Sequence, residues 1–118
     1  MPYVDGFLIV CPKKKLRSYV AVAKKAGKVW REHGALEYRE CVGEDMKVKF
    51  GVPFPKRANA KAGDAVIFSW IVYKSRKHRD AVNAKVMADP RIKAMMTEPM
   101  PFDSKGMTYG GFDVVVDA

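Results

Sequence analysis

Cysteine and histidine are scarce in this chain: Cys11 and Cys41 are its only thiols, His33 and His78 its only imidazoles. Two cysteines are too few for a disulfide scaffold, so free, buried thiols are expected. Neither pair has the close C-x₂₋₄-C or H-x₃₋₅-H spacing of a zinc site, and no metal and no cofactor are expected. Ser18, Ser69, Ser75 and Ser104 lack the G-x-S-x-G frame of an activated serine, and no Walker-type phosphate loop is present. No motif therefore marks a catalytic residue. Long apolar runs are missing too, since none approaches the ~20 residues that span a bilayer. Met1 to Cys11 has no basic leader and no small-residue cleavage pattern, so it reads as a strand, and a cytoplasmic protein without membrane contact is expected.

What is present is a globular composition, 48% hydrophobic and 30% charged over 118 residues. That length suits a single domain, residues 1–118, and is too short for two. The net charge of +9 raises the case for an anionic partner without choosing among nucleic acid, membrane phosphate and acidic metabolites.

Along the chain, Tyr3 to Cys11 is a mostly apolar strand closed by Pro12. From Leu16 to His33, apolar or small residues at Leu16, Val20, Ala23, Gly27 and Trp30 trace a helical stripe, widened by Tyr19, Val22, Ala26 and Val29. Gly34 supplies the left-handed residue that ends such a helix, with Leu36 placed to pack back on it. Leu36 to Val42 alternates, with Tyr38, Glu40 and Val42 on one face and Glu37, Arg39 and Cys41 on the other, as in a strand near a sheet edge. Gly43 to Gly63 is a long arm in which Met46 to Phe50 suggests an extra strand; arms of this length are often functional or partner-binding. Ala65 to Tyr73 is apolar on both faces and is the central strand. Ser75 caps a second helix that stops at Asp89, before Pro90, and a shorter helix follows over Arg91 to Thr97. Met107 to Val116 is the last strand, with Gly110-Gly111 as a bulge or a close backbone approach. Met95, Met96, Met100 and Met107 around the preceding loop fit core filling or a dimer seam.

The order strand, helix, strand, strand, helix, strand predicts an α+β, ferredoxin-like βαββαβ fold: a four-stranded antiparallel sheet with both helices on one face. The central strand then leaves an apolar face bare, and a twofold partner sheet is the simplest cover. A homodimer is the expected assembly. In that strand order the third strand separates the first from the second, which keeps the two thiols apart.

The runs Trp30–Leu36 (WREHGAL), Phe68–Arg76 (FSWIVYKSR) and His78–Met87 (HRDAVNAKVM), with Asp89-Pro90-Arg91, Pro101-Phe102-Asp103 and Gly110-Gly111-Phe112, carry a resemblance over nearly the whole chain. It resembles the YbaA-type domain-of-unknown-function family of bacterial proteins. The resemblance implies a dimeric α/β barrel of two facing ferredoxin-like sheets, and it implies no established activity. Lys13-Lys14-Lys15 departs from the family pattern, where acidic or neutral residues are more usual.

Several groups of residues remain as candidates for function. Tyr38, Arg39, Glu40, Trp70, Tyr73, His78 and Tyr109 combine aromatic and charged chemistry and form a candidate pocket for a small molecule. Ser75, Arg76 and Lys77, with His78, stand where free amides at a helix start could hold an anion. His33 closes the first helix, where a cation suits the dipole. The leading expectation is binding or metal-free conversion of a small anionic or aromatic metabolite in a barrel cavity. The alternatives are non-specific RNA or DNA association through Lys13, Lys14, Lys15, Arg17, Lys24, Lys25, Lys28 and Arg31 with Arg76, Lys77 and Arg79, and a structural partner-binding module. An RNA-reading sheet face lacks its aromatic consensus here.

Overall fold

The computed structural model describes residues 1–118. Strand β1 (Tyr3–Pro12) leads through a 3₁₀ turn at Lys13–Lys15 into helix α1 (Leu16–Glu32). Then come β2 (Glu37–Val42), the four-residue α2 (Phe54–Arg57), β3 (Asp64–Tyr73), α3 (Arg76–Ala88), α4 (Pro90–Met96) and β4 (Thr108–Asp113). The strands form one antiparallel sheet in the order β2-β3-β1-β4, and with its helices on one face this is a ferredoxin-like α+β fold. No helix is long and apolar enough to cross a membrane.

The two inner strands, β1 and β3, pair odd with odd, from Tyr3 opposite Tyr73 to Pro12 opposite Asp64. Side chains alternate across a strand, so this register sorts the sheet into two surfaces. On the odd surface, Tyr3, Ile71 and Tyr73 meet Val29 of α1 and Val82 and Val86 of α3. Farther along, Ile9, Cys11 and Ile67 meet Tyr19 and Ala23 of α1. The even surface carries Val4, Leu8, Val10, Val66, Phe68, Trp70 and Val72, with Phe112 of β4 paired opposite Val4. None of α1, α3 and α4 lies over it; only Phe54 of the short α2 reaches it, at Phe68, which is still 46% exposed although it sits in an inner strand.

Local chemistry fixes the joints. Gly34, at φ +114°, ends α1 in a backbone region that side chains rarely adopt. Ser75 Oγ accepts from the His78 amide at the start of α3, and Asp89 accepts from the Arg91 amide at the start of α4. Two expectations change, and a third is decided between its alternatives. Leu36 does not pack back on α1: Ala35 takes the buried position, while the Leu36 amide donates to Val72 and begins the ladder to β3. Met46 to Phe50 forms no strand within the chain, and the only regular piece of the arm is α2. At Gly110-Gly111 the ladder to β1 runs without interruption, so there is no bulge; Gly111 instead gives room to the Tyr3 ring, which a Cβ there would overlap.

Candidate functional site

The edge strand β2 stands beneath α1, and between them lies a groove of about 700 Å³. It exists because of a size mismatch along α1. Residues 20, 23, 24, 27, 28 and 31 recur on one side of the helix, and the small Ala23 and Gly27 let the sheet come close while the long Lys24, Lys28 and Arg31 form a rim. Gly27 faces the Tyr38 ring so closely that a Cβ would stand 2.7 Å from it. Trp30 packs against the same ring, tilted by 41° and 6.1 Å from Tyr38 between centroids.

The floor of the groove is a carboxylate held at both oxygens. Tyr19 donates to Glu40 Oε1 at 2.7 Å and Tyr38 donates to Oε2 at 2.8 Å. Burial pushes both phenols well above the ordinary tyrosine range, and the Glu40 charge pushes them the same way. They stay protonated and act as fixed donors. Val20, Ala23, Val42 and Ile67 add apolar wall. The chain's ion pairs run elsewhere, and none takes up Lys24, Lys28 or Arg31. Arg31 donates to the Ala35 and Leu36 carbonyls, which fixes its guanidinium at the end of the rim.

The other half of the helical layer is closed. Asp5, in β1, is 5% exposed and its Oδ1 accepts from Arg79 of α3 at 2.8 Å. Burial raises its pKa despite the opposing guanidinium. Arg79 also stands over the Tyr3 ring, 5.0 Å from its centroid. Beside it, Tyr73 and the Trp30 indole both donate to Asn83 Oδ1 at 3.2 Å. At the end of the layer, Asp89 Oδ2 lies 2.8 Å from His33 Nε2 and accepts from Arg91, which also reaches Glu32 at 2.7 Å. The hydrogen bonds from Arg91, and after them His33, hold the Asp89 carboxyl well below its ordinary value of 3.8.

The sheet divides the residues expected to share one pocket. Tyr38, Glu40, Tyr73 and Tyr109 lie on the helix side, with Tyr109 stacked on Phe7 at 6.0 Å. Arg39 and Trp70 are paired on the opposite surface, where the Trp70 indole donates to Glu37 at 2.8 Å. His78 sits at the start of α3, its Nδ1 accepting from the Lys74 amide and its ring edge-on to Tyr73. Of the expected set, only Tyr38 and Glu40 line the groove. The Ser75–Lys77 start of α3 is separate from it, and Ser75 Oγ already takes one of its free amides. Cys11 is buried on the helix side, as expected, and donates to the Pro101 carbonyl; Cys41 is not buried but exposed on the other surface, because it sits in the edge strand β2 on the side the long helices leave open. Sequence reasoning missed Tyr19 as a partner of Glu40 and Asp5 as a buried ion. The signals were a tyrosine one helical turn before Ala23 and a carboxylate inside an apolar strand.

The comparisons with known proteins agree with this architecture. The family described as "Protein of unknown function (DUF1428)" matches residues 2–104. The uncharacterized protein YbaA of Escherichia coli K12 is 43% identical over 117 residues, covering 99% of both chains, and that of Shigella flexneri matches equally. Among solved structures, Rv0793 from Mycobacterium tuberculosis aligns with a TM-score of 0.61 at 11% identity, covering 100% of this chain and 99% of that one. A dimeric ferredoxin-like protein from an uncultured marine organism aligns with a TM-score of 0.61 at 13% identity over 100% of both. Identities this low speak for the fold alone, whereas the full-length match to YbaA and the family match establish descent: the chain belongs to the DUF1428 family of proteins of unknown function.

Proposed function

We propose that this protein is a homodimer that binds, in the groove between α1 and β2, a small anion with an apolar or aromatic body. The observation that carries the reading is the unpaired rim. Lys24, Lys28 and Arg31 stand three and four residues apart on one helix face, where like charges repel by a few tenths of a kcal/mol per pair. An anionic group at the rim relieves that repulsion. The body of the ligand then lies on Val20, Ala23 and Val42, and a hydroxyl or N–H at its far end meets a free lone pair of Glu40. A mostly apolar cleft with a few convergent polar groups is the usual form of such a site. The dimer rests on the uncovered sheet surface, where Phe68 and Phe112 are 46% and 62% exposed. A twofold copy covers it with an equivalent surface. We place the protein in the cytoplasm.

The test is native mass spectrometry of protein purified gently from its own cells, with the double variant K24E/K28E beside it. The expected result is a dimer carrying a small extra mass, lost from the variant while the dimer mass is kept. An adduct that persists in the variant lies elsewhere and overturns the groove. If the parent carries none, calorimetric titration with phenyl phosphate and benzoate decides, and no heat from either ends the reading. Non-specific nucleic-acid binding instead produces affinity for RNA of any sequence that falls steeply with salt.

A further inference from the structure

The arm between β2 and β3 carries a pattern that the single chain does not use. Val48, Phe50, Val52 and Phe54 stand at every second position, the spacing of a strand with one apolar face, yet all four are exposed and Phe50 is 97% so. From residue 44 to residue 52 the backbone makes no hydrogen bond to any other backbone group: the ladder ends at Gly43, which donates to Val66, and resumes with the turn at Pro53. The arm is continuous with the uncovered sheet surface. Phe54 packs on Phe68 at 5.9 Å, and Phe68 on Trp70 at 5.6 Å.

We propose that this arm is a clamp for a second copy of the chain, with Phe50 and Val52 docking on the rim of the second copy's open sheet surface. This rests on the homodimer argued above. Continuity selects a second copy over other occupants, because Phe54 already ties the arm to the surface that a twofold partner covers. The same operation brings the partner's arm onto this chain's sheet, so the contact is made twice. An exposed aromatic that becomes buried on association is a typical anchor of binding energy.

The test is the dimer dissociation constant by sedimentation, for the parent, F50D and the neighbouring K49D. Phe50 touches little of its own chain, so F50D leaves the subunit folded, which circular dichroism verifies. The expected result is at least a tenfold weaker dimer for F50D, the effect of one interface anchor, and less than about a threefold change for K49D, as for a charge at the rim. A parent that dimerises and an F50D dimer equally tight overturn the clamp while keeping the dimer. Equal weakening by K49D also overturns it, since the effect is then one of charge. A parent that stays monomeric overturns the dimer itself, and the clamp with it.

Discussion

The two halves of the helical layer handle charge in opposite ways. Under α3 and α4 the ions are matched: Asp5 to Arg79, and Asp89 to Arg91, with Arg91 reaching on to Glu32 and His33 bonded to the Asp89 carboxyl. Under α1 the cations at the rim of the groove form no ion pair, and the one carboxylate at its floor is held by phenols. The buried pair of Asp5 and Arg79 behaves as a structural joint, since breaking it leaves an uncompensated ion in a poor solvent. Unmatched cations beside a cleft cost little to change, and what they contribute is attraction for something outside the chain.

Substitutions can break this comparison, and they separate by size. The largest effect belongs to Arg79→Ala, which strands the buried Asp5 carboxylate. We expect a loss of about 3 kcal/mol in denaturant unfolding, the lower end for buried pairs, because Arg79 keeps 20% of its side chain exposed. Asp5→Asn in the same chain should restore much of it, and failure to do so would show that Arg79 acts through Tyr3 rather than Asp5. Next is Gly27→Ala. The added methyl meets the Tyr38 ring and costs about 1–3 kcal/mol of overpacking, of which roughly 1 kcal/mol is returned by helix propensity. The measurable result is a modestly lower stability together with a displaced Tyr38.

Asp89 supplies the pH dependence. Its folded pKa lies below its ordinary value of 3.8. The stability it contributes is therefore complete above that value and drains away as the pH falls toward the lower folded one. Asp89→Asn should flatten the acid limb of a stability profile below about pH 4 and lower the plateau at neutrality; an unchanged limb would remove Asp89 from the account. The smallest effect is expected from K24E/K28E, whose melting temperature should stay within a degree or two of the parent, since surface charge changes of this kind are worth a few tenths of a kcal/mol.

Most of the fold was legible because it depends on period and punctuation. The stripe from Leu16 to Trp30, Gly34, the two-faced strand at Ala65 to Tyr73, Ser75 as a cap and Asp89 as the stop before Pro90 each obey a local rule, and the structure keeps them. Met46 to Phe50 follows the same strand rule and forms no strand, because a strand needs a neighbour as well as a pattern. The site was less legible. Tyr38 and Trp70 look alike as strand aromatics, yet one position in register sends them to opposite surfaces. The meeting of Tyr19 with Glu40 spans 21 residues and depends on how far α1 sinks at Gly27, which no local pattern encodes.

Asp5 has a further consequence for how the chain finds its fold. Phe7, Leu8, Ile9 and Val10 would be content on either side of the sheet, and so would Val66 to Phe68 opposite them. Greasiness alone thus permits β1 to slide by one residue, a shift that exchanges the two surfaces of the strand. Asp5 does not permit it. Slid by one, its carboxylate leaves Arg79 and lands among Val72, Trp70 and Phe112, where the one nearby cation, Arg39 of β2, lies across β3 and already faces Glu37. The ion that weakens the interior by being there is also what stops the sheet from assembling one step out of alignment.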